Sequence, residues 1–149
     1  MVSFRKTLFA FLVAIVVIAA VGLWSLKQPA GLVKFSIDRS VIKHGENATI
    51  TVTVENFDKL THNVEYRFRV NARVSIYEGA EKPLPRIGSQ YTFNYTLEAT
   101  IPSDTRVFVV IGSLEELVLS ATYPISLTVF FDGEELEKTW SDLTLTVEE

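Results

Sequence analysis

Residues 7–26, TLFAFLVAIVVIAAVGLWSL, make an uncharged run of twenty residues, and no other feature constrains the chain as much. As a helix rising about 1.5 Å per residue the run reaches roughly 30 Å, the thickness of a bilayer's hydrocarbon core. Arg5 and Lys6 precede it and Lys27 follows. The more basic flank favours the cytoplasm. The run is therefore expected to be a single membrane-spanning helix with a cytoplasmic N-terminus, an extracytoplasmic remainder and Trp24 at the interface. Lipid is thus the first partner expected, through residues 7–26. A cleaved signal peptide would share the basic start and offer Ala20 or Gly22 near a cleavage point, but the run exceeds the about 7 to 15 apolar residues a signal needs. Both readings export the rest of the chain.

The residues beyond the run amount to one domain, enough to bury a core. Residues 28–31, QPAG, read as a short stalk, and residues 32–149 as the domain. The chain has no cysteine, so an exported domain must hold together by packing without disulfides. One Met, two Gln and no Cys fit a thermophilic prokaryote, such as an archaeon, as the source. The net charge of −4 is uneven: from Ser113 onward Lys138 is the sole base against nine acids. Such an acidic half argues against nucleic acid as a partner.

Within the domain the dominant signal is alternation with a period of two, the mark of half-buried strands. Val33, Phe35 and Ile37 start it, and NATITVTVEN places Ala48, Ile50, Val52 and Val54 on one face. Val64, Tyr66, Phe68, Val70, Ala72, Val74 and Ile76 alternate over so long a stretch that the strand must bend or change sheets partway. A loop is expected over 78–89, then a strand with Tyr91, Phe93, Tyr95, Leu97, Ala99 and Ile101 inward, stopped by Pro102. The apolar run 107–111 reads as a strand buried on both faces or an inner strand under a loop. Ser113 and Glu116 have capping-box spacing, so 113–119 can form a helical turn, with a strand as the alternative. Tyr123 to Phe131 alternates again, Asp132-Gly133 supplies hairpin turn residues, and a phase change between Trp140 and Leu143 predicts a bulge near Ser141 and Asp142. The sum is an all-β, immunoglobulin-like or fibronectin-III-like sandwich of about seven strands.

The stretch HGENATITVTVENFD resembles the B-strand signature of CARDB-type and related archaeal surface immunoglobulin-like domains, and TLEATIPSDT resembles the pre-turn segment of the same group. After Asn56 the group usually has a glycine, where this chain has Phe57-Asp58. The resemblance implies a cell-surface adhesion, assembly or spacer module without catalysis. One membrane helix carrying one small sandwich is also similar in plan to archaellum stator-type proteins.

No nucleophile motif accompanies the two histidines, His44 and His62, which lie beside turns and are expected to be solvated rather than catalytic. A type-1 copper site is excluded by the lack of cysteine, and no other cofactor or metal is expected. Asn47-Ala48-Thr49 and Asn94-Tyr95-Thr96 are glycosylation sequons with both asparagines on solvent faces. Arg67, Arg69 and Arg73 share an outer face, either paired with neighbouring acids or open to an acidic partner, a glycan or lipid headgroups. Asp132, Glu134, Glu135 and Glu137, with Glu115 and Glu116 nearby, either guard an edge hairpin as solvated acids or hold Ca²⁺. The expected function is a non-enzymatic, extracytoplasmic binding or scaffolding module of the cell envelope, associated with a surface layer, pilus or archaellum. The rival expectation is an accessory single-pass subunit of a membrane enzyme or transporter.

Overall fold

Alternating side chains build two facing sheets whose inner faces are apolar. The computed structural model describes residue 15 and residues 29–79, 89–138 and 142–149, with only the backbone of 137–138. The expected span at 7–26 lies outside these residues apart from Ile15. Among the described residues no helix is long and apolar enough to cross a membrane.

The strands are β1 (Gly31–Ile37), β2 (Val41–Lys43), β3 (Asn47–Asn56), β4 (His62–Arg69), β5 (Val74–Glu78) and β6 (Gln90–Leu97). They continue with β7 (Ser103–Gly112), β8 (Ser120–Phe131), β9 (Glu134–Glu135), β10 (Glu137–Lys138) and β11 (Leu143–Glu148). One sheet runs in the order β10-β1-β3-β7-β5 and the other β2-β11-β8-β4-β6, with β9 folded back on β8. Pairing is antiparallel except β1 with β10 and β11 with β2. The expectation of about seven strands thus becomes eleven among the described residues. The long alternation splits into β4 and β5, which lie in opposite sheets, and three short pairings, β2, β9 and β10, are added.

The inward sets of β3, β4 and β8 are buried as their alternation requires. Tyr66, Phe68 and Phe108 meet at the centre, with Phe108 ring-to-ring distances of 5.8 Å to Tyr66 and 5.0 Å to Phe68. Burying side chains of this size stabilises by about 1.5–3 kcal/mol each. Across the open side of the sandwich, Arg106 Nε donates to Asp104 at 2.7 Å and its guanidinium covers the Tyr95 ring, whose hydroxyl donates to Glu78.

Several expectations need correction. Residues 107–111 are not buried on both faces: Phe108 and Val110 point inward, while Val107 is 49% exposed on the outer face of its sheet. β6 ends at Leu97, not Ile101. There the chain turns, Ile101 N–H donating to Glu98 O at 3.0 Å, so that Pro102 O can accept from Asn56 N–H at 2.8 Å, and this leaves Ile101 40% exposed. Ala72 is exposed in the crossing between sheets. Residues 113–119 form neither helix nor strand. Ser113 does not cap: its N–H and its hydroxyl both donate to Arg73 O, at 2.9 and 3.1 Å. Of Ser141 and Asp142, where the bulge is expected, Ser141 lies outside the described residues, as do Trp140 and most of the loop over 78–89; β10 and β11 on either side of the expected bulge belong to different sheets.

Candidate functional site

β8 has twelve residues and runs the length of the molecule, roughly 36 Å at about 3.3 Å per residue. Its ends mark two poles. At the near pole, where residue 29 leads into β1, lie the ends of β3 and β8 and the start of β4. At the far pole lie the β2–β3 turn, the end of β7 and residues 113–119.

The near pole is built around His62. As the first residue of β4 it has the same parity as Val64, Tyr66 and Phe68, so it faces inward and is only 6% exposed. Its ring stacks on Phe131 with centroids 4.2 Å apart and planes 21° from parallel. Phe131 in turn lies against Gly31, where an added Cβ would come 3.0 Å from the ring and 2.3 Å from Glu55 O. His62 Nδ1 is 2.8 Å from Asp132 Oδ2 and Nε2 is 2.8 Å from Asp58 Oδ1.

The local turns hold both acids in place. Asp58 Oδ1 also accepts from Leu60 N–H at 3.0 Å, closing a side-chain turn around Lys59, whose φ is +58°. Asp132 Oδ1 accepts from Asn63 N–H at 2.9 Å, and Asp132 and Gly133 have φ of +50° and +90°, the left-handed pair of a two-residue hairpin turn. Both nitrogens of His62 face carboxylates, and both bonds can form only if both nitrogens carry protons. Burial works against that charge, but the hydrogen bonds to Asp58 and Asp132 outweigh it and hold the His62 pKa above its ordinary value. For Asp58, partial burial is outweighed by the bonds from His62 and Leu60, and its pKa is lowered. Asp132 is lowered by Asn63 N–H and by His62.

An imidazolium clamped in this way has no lone pair to offer a substrate, so it ties the β3–β4 loop to the β8–β9 turn rather than acting as a base. Beside it opens a cleft of about 400 Å³ lined by Pro29, Ala30, the clamp and Glu134 and Glu135. His62 is therefore not the solvated loop histidine expected. The signal was present: carrying the β4 alternation back two residues from Val64 puts His62 inward.

The far pole differs. Leu114 N–H donates to His44 Nδ1 at 3.0 Å, which makes that nitrogen an acceptor. Tyr123 hydroxyl donates to Ser113 O at 2.9 Å and Glu149 N–H to Leu119 O at 3.0 Å, so both ends of the 113–119 loop are fastened. Its tip is not. Leu117 is wholly exposed and has φ of +66°, a left-handed conformation that a leucine adopts only at a cost, and Leu119 is 70% exposed.

The other expected site residues are dispersed. Arg67 and Arg69 project from β4. Arg67 pairs with Glu65 at 2.5 Å and lies 4.4 Å from the Phe130 ring centre. Arg73 lies beyond the strand, in the crossing to β5, and pairs with Glu115 at 3.6 Å, so the three do not form one row. Glu115 and Glu116 belong to the far pole, a β8 length away from Asp132, Glu134 and Glu135. Among the described residues no group of His, Cys, Asp or Glu is arranged to hold a metal ion. Asn47 and Asn94 are exposed, on β3 and on the edge strand β6.

No family model matches the chain, and no curated protein matches it. Solved structures do. A chain of a type I cohesin–dockerin complex from Clostridium thermocellum superposes with a TM-score of 0.53 at 7% identity, covering 82% of this chain and 97% of that one. The CARDB domain of the PF1109 protein from Pyrococcus furiosus, solved with di-metal ions, gives a TM-score of 0.50 at 14% identity, covering 81% and 90%. The alkylpurine DNA glycosylase AlkC of Pseudomonas fluorescens gives 0.51 at 11% identity over 84% of this chain, which spans only 32% of the glycosylase. At such identities the likeness is one of fold: the domain is an immunoglobulin-like β-sandwich of the kind found in CARDB and cohesin modules.

Proposed function

We propose that this chain is a membrane-anchored, extracytoplasmic binding module that presents the far-pole loop 113–119 to a protein of the cell envelope, such as a surface-layer, pilus or archaellum component. The observation that carries this reading is Leu117, fully exposed on a left-handed backbone. Strain of this kind is usual where function, not folding, selects the residue. Leu119 and Val118 flank it as further apolar surface, and Glu115 and Glu116 border it with acid. A partner with an apolar socket and basic rim fits this tip. The fold also supports the reading, since it is shared with a chain from a cohesin–dockerin complex, in which two proteins bind.

The module is non-catalytic in this reading, because His62 is occupied at both nitrogens and His44 at Nδ1. In this reading Asn47, beside the β2–β3 turn, and Asn94, on the edge strand β6, carry glycans, which intact-mass measurement of the protein from its native source would reveal.

The test is cross-linking on intact cells of that source, comparing the natural chain with a Leu117→Asp/Leu119→Asp variant. Both leucines lie outside the core, so the variant should fold. The natural chain is expected to capture an envelope protein and the variant to lose it. Equal capture by both, or links only to a multi-span membrane complex, would overturn the reading and favour the accessory-subunit alternative.

A further inference from the structure

The near pole carries its own exposed apolar side chains. Phe57, Leu60 and Ile101 are 48%, 59% and 40% exposed. They stand on two loops, 57–61 and 98–102, that are fastened to each other and to the start of β1. Asn56 N–H donates to Pro102 O at 2.8 Å, Ala99 N–H to Thr61 Oγ1 at 3.1 Å, and Phe57 N–H to Ala30 O at 2.9 Å. Asn56 Nδ2 donates to Leu60 O at 2.9 Å, and the Asp58–His62 bond holds the same loop from beneath. The three side chains are thus presented on rigid backbone, and ordering them on a surface costs little further entropy.

The position of this pole in the chain says what the surface is. Pro29, at the lip of the near-pole cleft, is three residues on from Leu26, the end of the expected span, with Lys27 and Gln28 between them. At no more than about 3.5 Å per residue the three steps reach roughly 10 Å. The headgroup layer outside the hydrocarbon core is itself about 5–7 Å deep on each side. A domain held so closely must lie at the lipid surface, and the pole facing it is the one with Phe57, Leu60 and Ile101.

Resting on the anchored reading above, we infer that the near pole seats on the bilayer, with Phe57, Leu60 and Ile101 entering the headgroup region of a zwitterionic lipid surface. Charge selects the lipid. Around the pole Lys59, Lys138 and the His62 imidazolium stand against Asp58, Glu98, Asp132, Glu134, Glu135 and Glu137, and an anionic surface would repel that net negative balance. Seating fixes the long axis of the sandwich away from the membrane and holds the Leu117 tip at the far end.

Because the chain has no cysteine, single labels are simple to place. The full chain is reconstituted in phosphatidylcholine vesicles as Leu60→Cys or Leu117→Cys, each carrying an environment-sensitive dye, and vesicle flotation is measured alongside quenching by lipids spin-labelled near the headgroup. The Leu60→Cys dye is expected to be quenched at least about twofold more than the Leu117→Cys dye. Adding phosphatidylglycerol should reduce the difference. A Lys59→Cys label combined with Phe57→Ser, Leu60→Ser and Ile101→Ser should lose the quenching while the protein still floats. Flotation with equal quenching at both poles overturns the seating alone. Failure to float overturns the anchor, and the seating with it. Stronger quenching with phosphatidylglycerol overturns the assignment to a zwitterionic surface.

Discussion

Each pole of the sandwich holds a histidine next to a turn, and the two are used in opposite ways. His62 is stacked on Phe131, donates to two carboxylates and draws the ends of β3, β4 and β8 together. His44 accepts a single N–H from Leu114 and steadies one end of a loop whose apolar tip remains in water. The difference follows from strand parity. His62 falls on the inward face of β4 and is driven under the end of the sandwich, where its charge must be met. His44 follows the short strand β2 on the rim and has no such constraint. One pole is built to be held and the other to be met.

The largest effect should come from crowding the held pole. At Gly31 an added methyl meets backbone, Glu55 O, at 2.3 Å, as well as the Phe131 ring. Gly31→Ala should therefore destabilise the full chain in detergent by about 3 kcal/mol in urea unfolding. At the far pole Gly112→Ala meets the tip of Val147 at 2.3 Å, a side chain and not backbone. It should cost less, about 2 kcal/mol, and Val147→Ala should recover part of that loss. An equal or larger loss at Gly112 would break the asymmetry between the poles.

The histidines test it next. His62→Ala removes a stacked, buried ring and two charged bonds and should cost about 2 kcal/mol, whereas His44→Ala should cost about 0.5 kcal/mol. The pH dependence sharpens this. The His62 pKa is raised by folding, so its contribution is complete below the unfolded value of about 6.5 and is lost as pH rises through the higher folded value. Asp58 and Asp132 are lowered, so their share is complete above about pH 4 and is lost as pH falls through their folded values. The stability difference between the natural chain and His62→Gln should therefore be greatest between about pH 4 and 6.5 and shrink on both sides. A difference that stays flat from below about pH 4 to well above about pH 6.5 would mean that the ring acts by packing alone.

How much of this was legible beforehand depends on what kind of information each feature uses. The paired sheets follow from alternation, and so does the change of sheet between β4 and β5, because Val64 to Ile76 is too long for one strand. The Asp132-Gly133 turn was readable for the same local reason. The clamp was half legible: parity alone buries His62, but its partners are four and seventy residues away and meet only when β8 lies beside β4. Asp58 also stands where the chain leaves the CARDB-type pattern, with Phe57-Asp58 in place of a glycine, and that departure supplies both a clamp carboxylate and an exposed aromatic ring. The loop 113–119 misled, since capping-box spacing describes a helix start equally well when Ser113 is in fact bonded across the molecule to Arg73. The apparent row of three arginines failed in the same way, because shared parity means a shared face only while the strand stays in one sheet.

The smallest expected effect on stability is the most telling about the met pole. Leu117 makes no burial that could repay its φ of +66°, and glycine adopts that conformation without the steric cost that a Cβ imposes. Leu117→Gly should therefore leave the fold as stable or stabilise it by up to about 1 kcal/mol, the left-handed penalty relieved less the added freedom of the unfolded chain. At the same time it removes the apolar tip offered to a partner, so capture of an envelope protein on intact cells should fall. Stability that rises while capture falls separates a side chain kept for contact from one kept for folding. If Leu117→Gly instead destabilised the domain and left capture unchanged, the tip would be a structural turn, and the contrast between the two poles would lose its functional half.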